Sequence, residues 1–207
     1  MKSALITIFL ALFLFSCTKD NTIDVQENDI ENTKDYPDIN IESGLYNDIE
    51  LLGKSLEEGK QLTRGEFPPD FLVNNGGENE FSLSDLRGKV VYLEFWRTGC
   101  YYCVQAMPRM VDSYKKINND DFIVITVTTD RSFGVSKNSV AGFINDYDMN
   151  EWINLYDGGT TKDAIEYHFK IYGTPQGFLI GKDGKFVQNL HPGNSNFEDI
   201  INEELNK

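Results

Sequence analysis

Residues 90–96 read VVYLEFW, and residues 97–103 continue as RTGCYYC. The first seven residues form a near-continuous apolar run between turn signals, which is typical of a strand buried on both faces. Cys100 then stands at the beginning of a segment that reads as a helix to about residue 117, with Pro108 inside it. A buried strand, a short turn and a cysteine at a helix N-terminus predict the centre of an α/β fold.

The spacing of Cys100 and Cys103 predicts redox chemistry. The unpaired N–H groups and the dipole at a helix N-terminus favour a thiolate, so we expect the pKa of Cys100 to lie below its ordinary value of about 8.5. Cys103 lies one turn further on, within reach of the first sulfur. The pair therefore suits thiol-disulfide exchange, in which Cys100 attacks a substrate disulfide and Cys103 resolves the mixed disulfide.

The pattern downstream predicts a central mixed sheet with helices on both faces. The predicted strands and extended pieces are 122–127, 152–156, 176–180 and 185–190, the last two joined by a hairpin turn. The predicted helices are 137–147, 161–169 and a last one that begins at 195–198 with the form of a capping box.

The first 66 residues have a different character. Residues 1–16 combine Lys2 with a short apolar run, which is typical of a signal sequence. Cys17 follows Leu-Phe-Ser, a pattern similar to the lipobox of bacterial lipoproteins, so Cys17 is a predicted lipidation site. Residues 17–66 are acidic and weakly periodic, and we interpret them as a tether with one short helix near residues 41–56.

The charge of the chain excludes one class of partner. The formal net charge is −14, and no basic cluster is present that could neutralise phosphates. Nucleic acid is therefore not an expected partner.

Several spaced motifs from Phe67 onward resemble one family. FPPDF at 67–71, SLSDLRGK at 82–89, LEFW at 93–96 before the CxxC, and YGTP at 172–175 followed by FLI and DG occur in the family's order. The chain is similar to the thioredoxin-like TlpA/ResA group of membrane-anchored thiol-disulfide oxidoreductases, related to the redoxin and AhpC/TSA families. The resemblance implies a thioredoxin-like domain over 67–207.

The resemblance also implies roles for further residues. Pro175 corresponds to a cis-proline that faces the dithiol, and Thr174 before it offers its backbone to an extended substrate. Glu94 falls where thioredoxins carry a buried acid behind the second cysteine. A carboxyl buried there has a raised pKa and can take the proton from Cys103; the alternative is a strand-end carboxylate that faces water.

The chain departs from the family at three positions beside the dithiol. Gly99 replaces the usual Trp, Tyr101-Tyr102 lacks the usual Pro, and Ala106 stands where cytochrome-maturation members often carry Glu. Tyr101 and Tyr102 either form an adhesive rim for unfolded polypeptide or pack against a neighbouring loop.

Three other functions would each require further features. A thiol peroxidase needs a Thr three residues before the cysteine and a Pro four before that, but Arg97 and Leu93 occupy these positions. Copper handling would require His168 or His191 beside the cysteines, and we predict no metal site. A non-catalytic binding domain would hold a structural disulfide that resists exchange.

The sequence thus predicts an enzyme that exchanges disulfides with protein thiols, needs no bound cofactor and depends on an upstream redox partner. The signal sequence and Cys17 predict a location in the cell envelope on a lipid anchor. Thr18 after Cys17 is not the Asp that favours inner-membrane retention in some bacteria, so the outer membrane facing the periplasm is the predicted site. Reductant is the predicted direction.

Overall fold

The computed structural model describes residues 41–74, 80–158 and 164–207. The predicted signal sequence, Cys17 and the first part of the tether lie outside these residues and stay predictions. Within the described ranges, no helix is both long and apolar enough to cross a membrane.

The described residues form strands and helices in alternation. The strands are β1 (Gly44–Tyr46), β2 (Ile49–Leu52), β3 (Asp70–Val73), β4 (Phe81–Ser82), β5 (Val90–Trp96), β6 (Phe122–Thr128), β7 (Ile153–Tyr156), β8 (Gln176–Ile180) and β9 (Phe186–Asn189). The helices are α1 (Tyr101–Ile117), α2 (Lys137–Asp146), α3 (Ile165–His168) and α4 (Phe197–Leu205), with 3₁₀ turns at Leu83–Leu86 and Asp130–Phe133.

Strand β5 lies inside a six-stranded sheet of order β1-β7-β6-β5-β8-β9. Strands β1, β7, β6 and β5 are parallel to one another. Strand β8 pairs antiparallel with β5, and β9 pairs antiparallel with β8. All seven residues of β5 are buried, as expected for a central strand with both faces covered. The predicted mixed sheet is confirmed.

Alternate residues of β5 enter different core layers, because successive side chains of a strand point to opposite faces. Tyr92 and Trp96 pack in the layer that contains the buried faces of α1, α2 and α4. Leu93 and Phe95 pack in the layer that contains α3 and the small antiparallel sheet β2-β3-β4. Helices therefore lie on both faces, but the second face is covered mainly by the small sheet.

The predicted short helix near residues 41–56 is wrong. Strand β1 pairs in parallel with β7, with Gly44 opposite Ile153, and β2 pairs with β3, with Ile49 opposite Val73. The partner strands β7 and β3 are separated in sequence from β1 and β2, so the apolar spacing within residues 41–56 could not indicate this pairing. The folded body consequently includes residues that we assigned to the tether, and it begins before the predicted domain start at Phe67.

Two further helix predictions need correction. The capping box at residues 195–198 does not form, because Asn196 is the N-cap of α4 and makes no side-chain cap hydrogen bond. Glu198 instead accepts from Ser113 Oγ at 2.9 Å and from Lys116 Nζ at 3.0 Å. The helix predicted over 161–169 is the single turn α3, and residues 161–163 lie outside the described part of the chain.

Candidate active site

Cys100 is the N-cap residue of α1, with extended backbone angles of φ −89° and ψ 106°. The Cys103 N–H donates to Cys100 Sγ at 3.2 Å, so one of the N–H groups left unpaired by the first helical turn points at this sulfur. The two cysteines form a disulfide, with Cα atoms 5.2 Å apart. Cys100 keeps 9% of its surface exposed, whereas Cys103 has none. Cys100 is therefore the sulfur that an incoming group can reach.

The loop between β5 and α1 is held by Asp130, a residue that the sequence analysis missed. Asp130 is 2% exposed. Its carboxylate accepts from the Thr98 N–H at 2.9 Å, the Thr98 hydroxyl at 3.0 Å and the Thr128 hydroxyl at 2.6 Å. Since Thr98 lies two residues before Cys100, these bonds fix the approach of the chain to the dithiol. The signal in the sequence was an acid two residues after the end of a buried strand.

The peptide bond between Thr174 and Pro175 is cis, as the resemblance implied. The Thr174 carbonyl oxygen lies 3.3 Å from Cys100 Sγ. Arg97 Nε donates to Thr174 Oγ1 at 3.3 Å, and the Arg97 guanidinium lies over the Phe133 ring, 4.3 Å from its centroid. The proline loop is thus placed directly against the accessible sulfur.

Glu94 is buried on the α1 side of β5, with 1% of its surface exposed. Burial raises the pKa of Glu94 to about 8, although the hydrogen bond from Tyr92 opposes the shift. The Tyr92 hydroxyl lies 2.5 Å from Glu94 Oε2, and Tyr92 packs in the same core layer as Cys103. The alternative of a strand-end carboxylate in water is therefore wrong. A carboxyl with this pKa can hold or release a proton near neutral pH.

Tyr101 and Tyr102 face solvent, with 70% and 72% of their surfaces exposed. Their rings contact each other edge to face, with centroids 5.5 Å apart. The alternative that they pack against a neighbouring loop does not hold. They form an open aromatic surface on the first turn of α1, next to Cys100.

The two histidines have partners elsewhere. His168 Nδ1 shares a hydrogen bond of 3.0 Å with Ser55 Oγ, and His191 Nδ1 accepts from the Gly193 N–H at 2.8 Å. In the described ranges, no group of three or more His, Cys, Asp or Glu side chains is arranged to hold a metal ion.

A mixed sheet, a cysteine pair at a helix N-terminus and a cis-proline against the accessible sulfur define a thioredoxin-like protein. The AhpC/TSA family model matches residues 65–188, well over half of the sequence. The chain belongs to the AhpC/TSA family.

Known relatives agree with this class. The chain is 32% identical over 134 residues to the thiol-disulfide oxidoreductase ResA of Bacillus thuringiensis subsp. konkukian, an alignment that covers 63% of this chain and 71% of ResA. Among solved structures, a putative protein disulfide isomerase from Bacteroides thetaiotaomicron has a TM-score of 0.56 and 28% identity, covering 70% of this chain and 92% of that one. A putative thiol:disulfide interchange protein DsbE from Chlorobium tepidum has a TM-score of 0.54 and 26% identity, covering 70% and 96%.

The predicted class of function is confirmed: the chain is a thiol-disulfide oxidoreductase of thioredoxin-like fold, with its cysteine pair at disulfide distance. Thiol peroxidase activity is not favoured, since Arg97 and Leu93 stand where a peroxidase needs Thr and Pro.

Proposed function

We propose that Cys100 is the nucleophile and Cys103 the resolving thiol of a protein-disulfide reductant. The observation that carries this assignment is the difference in access: Cys100 is partly exposed at a helix N-terminus, and Cys103 is buried behind it. Only the exposed sulfur can meet a substrate, while the buried one can reach only its partner. The helix N-terminus stabilises the thiolate that the first attack requires.

The reaction balances over two exchanges. The Cys100 thiolate attacks one sulfur of a substrate disulfide, and the other substrate sulfur leaves as a thiolate that takes up a proton. Cys103 then loses its proton to Glu94 and attacks Cys100 Sγ, which closes the Cys100–Cys103 disulfide and releases the second substrate sulfur as a thiolate. That thiolate takes up a proton from solvent, and Glu94 returns its proton to solvent. Two electrons pass from the enzyme to the substrate, so an upstream dithiol partner must return them. No bound cofactor takes part.

Two surfaces would hold the substrate. The backbone of Thr174, beside cis-Pro175, lies against Cys100 and suits an extended polypeptide that carries the disulfide. The exposed rings of Tyr101 and Tyr102 offer apolar contact on the helix side of the same sulfur. Polypeptide thiols and disulfides are accordingly the proposed substrates.

The proposed location is the cell envelope, with a lipid on Cys17 that anchors the protein in the outer membrane facing the periplasm. The signal-like residues 1–16 and the lipobox-like sequence before Cys17 support this assignment. A reductant in the cell envelope needs an electron donor, which is the upstream dithiol partner proposed above.

Trapping tests the roles of the two cysteines. The Cys103→Ser variant should accumulate a stable mixed disulfide through Cys100 when it is mixed with an oxidised, unfolded polypeptide. The Cys100→Ser variant should form little or none, and it serves as the matched control. Adducts on neither variant, together with a wild-type disulfide that resists glutathione, would show that the disulfide is structural.

The direction of the reaction is tested by the equilibrium potential of the pair. A value below about −230 mV, in the range of thioredoxin and the most reducing glutaredoxins, agrees with the reductant role. A value above about −180 mV would contradict it and indicate an oxidase or isomerase.

A further inference from the structure

The hydroxyl of Tyr92 faces two acceptors inside the core. It lies 2.5 Å from Glu94 Oε2 and 2.9 Å from the Leu190 carbonyl oxygen. A phenol carries one proton and can donate it to one acceptor at a time. The two contacts are therefore both satisfied by direct hydrogen bonds only when Glu94 is itself protonated and donates to Tyr92 Oη, which leaves the phenol proton for Leu190.

Gly177 makes room for this arrangement. It pairs with Glu94 across strands β5 and β8, two residues after cis-Pro175. A Cβ atom at Gly177 would lie less than 3.0 Å from Tyr92 Oη, the Leu190 carbonyl oxygen and Glu94 Oε2 together. All three oxygens converge over the bare Cα, so the closeness of the three groups depends on a glycine at this position.

We propose that Tyr92 is a positioning residue that changes its hydrogen-bond acceptor with the protonation of Glu94. When Glu94 is ionised, Tyr92 donates to its carboxylate and orients it in the core layer that contains Cys103. When Glu94 has taken up a proton, it donates to Tyr92 Oη, and Tyr92 turns its own proton to the Leu190 carbonyl. The proposal rests on the proposed role of Glu94 as proton acceptor and adds the device that keeps each of its two states hydrogen-bonded.

The surroundings leave few other groups to produce such a change. Strand β8 presents Gly177, and strand β6 places Thr126, which does not titrate in this range, opposite Glu94. Helix α4 packs Phe197 edge to face on the Tyr92 ring. Helix α1 contributes Cys103 to the layer. Burial raises the pKa of Glu94, and the hydrogen bond from Tyr92 opposes the rise. Among the described residues, Tyr92 and, in the reduced enzyme, Cys103 are therefore the titratable neighbours.

The proposed change of acceptor should be visible in the NMR signal of Tyr92 itself. The full-length oxidised protein, labelled with ¹³C at tyrosine Cζ and at the Glu side-chain carboxyl, is titrated by NMR from pH about 5 to about 10. The Tyr92 Cζ resonance should move with the same midpoint as the Glu94 carboxyl, because the phenol changes its acceptor there. A Tyr92 resonance that stays constant while Glu94 titrates would overturn the proposal.

Removal of the hydroxyl supplies the second measurement. In Tyr92→Phe the ionised carboxylate loses its donor, so the Glu94 midpoint should rise by about one pH unit. Tyr156→Phe is the matched control, since it removes a phenol hydroxyl that donates to the Val135 carbonyl at 2.6 Å, away from Glu94. It should leave the Glu94 midpoint unchanged. An unchanged midpoint in Tyr92→Phe would contradict the proposal.

The rate of mixed-disulfide resolution separates this proposal from the function on which it rests. Suppose that Glu94→Gln resolves the mixed disulfide at the wild-type rate, while the Tyr92 and Glu94 resonances of the wild type titrate together. The change of hydrogen-bond acceptor by Tyr92 then exists, but Glu94 is not the proton acceptor. If Glu94→Gln slows resolution but the wild-type Tyr92 resonance does not titrate with Glu94, Glu94 is the proton acceptor and the proposed role of Tyr92 is wrong.

Discussion

Two buried carboxyl groups, those of Glu94 and Asp130, belong to the region of the dithiol, and they have very different surroundings. Asp130 accepts from three donors on Thr98 and Thr128, whereas Glu94 has the Tyr92 hydroxyl as its hydrogen-bond donor among the described residues. Their burial is almost the same, with 2% and 1% of the surface exposed. Burial alone therefore does not decide what a carboxyl does: many donors make a fixed anchor for a loop, and few donors leave a group that can exchange a proton.

The largest effect is expected from Glu94→Gln on the pH dependence of stability. The pKa of Glu94 is raised from 4.5 to about 8 in the folded protein, so between these values the native state binds a proton that the unfolded chain has lost. The unfolding free energy of the wild type should fall, relative to the variant, by about 1.4 kcal/mol per pH unit across this window. Below 4.5 both states are protonated, and above about 8 the loss levels off.

Denaturant titrations at several pH values measure this difference. Glu50→Gln, at an exposed position of β2, is the matched control for the substitution itself. Parallel profiles for wild type and Glu94→Gln would mean that Glu94 is not protonated in the folded core.

Asp130→Ala should lower the unfolding free energy by about 2 to 3 kcal/mol, because it leaves the buried Thr128 hydroxyl and the partly buried Thr98 donors without this acceptor. Denaturant titration at a single pH measures this loss. The reduced variant should also react with a small disulfide in more than one kinetic phase, because the loop before Cys100 is no longer held in one position by Asp130. Asp146→Ala, at an exposed position of α2, should change stability by less than about 0.5 kcal/mol.

The smallest effect is expected from Thr98→Val, which removes the hydroxyl donor but keeps the backbone N–H on Asp130. A loss of about 1 kcal/mol is expected from one hydrogen bond, measured by the same denaturant titration. A loss as large as that of Asp130→Ala would show that the side chain, rather than the backbone, carries the anchor.

The motifs around the dithiol were predictable from the sequence because each depends on neighbours in the chain. The apolar run of β5 and the cysteine spacing are local signals, whereas the cis bond before Pro175 was implied by the family resemblance. The structure contains the expected buried strand, disulfide and cis bond. The burial of Glu94 followed from its position between apolar residues.

The missed features depend on partners that are distant in sequence. Asp130 binds Thr98 across 32 positions, and Tyr92 binds the Leu190 carbonyl across 98. Strand β1 was read as part of a helix because its pairing with β7 joins segments more than a hundred residues apart. The capping box at residues 195–198 is likewise replaced by a distant contact, since Glu198 pairs with Lys116 on α1, 82 positions away.

The N-terminal segment also protects the large sheet from unwanted association. At one edge β1 covers β7 with three residues, and at the other Gly65 and Glu66 exchange backbone hydrogen bonds of 2.9 and 2.8 Å with Phe186 of β9. An open strand edge is a template on which another extended chain can add and aggregate. A protein whose proposed clients are unfolded polypeptides meets such chains continually. Residues 41–66 make both edges poorer templates, because one edge strand, β1, is only three residues long and the other, β9, is paired with Gly65 and Glu66 at Phe186.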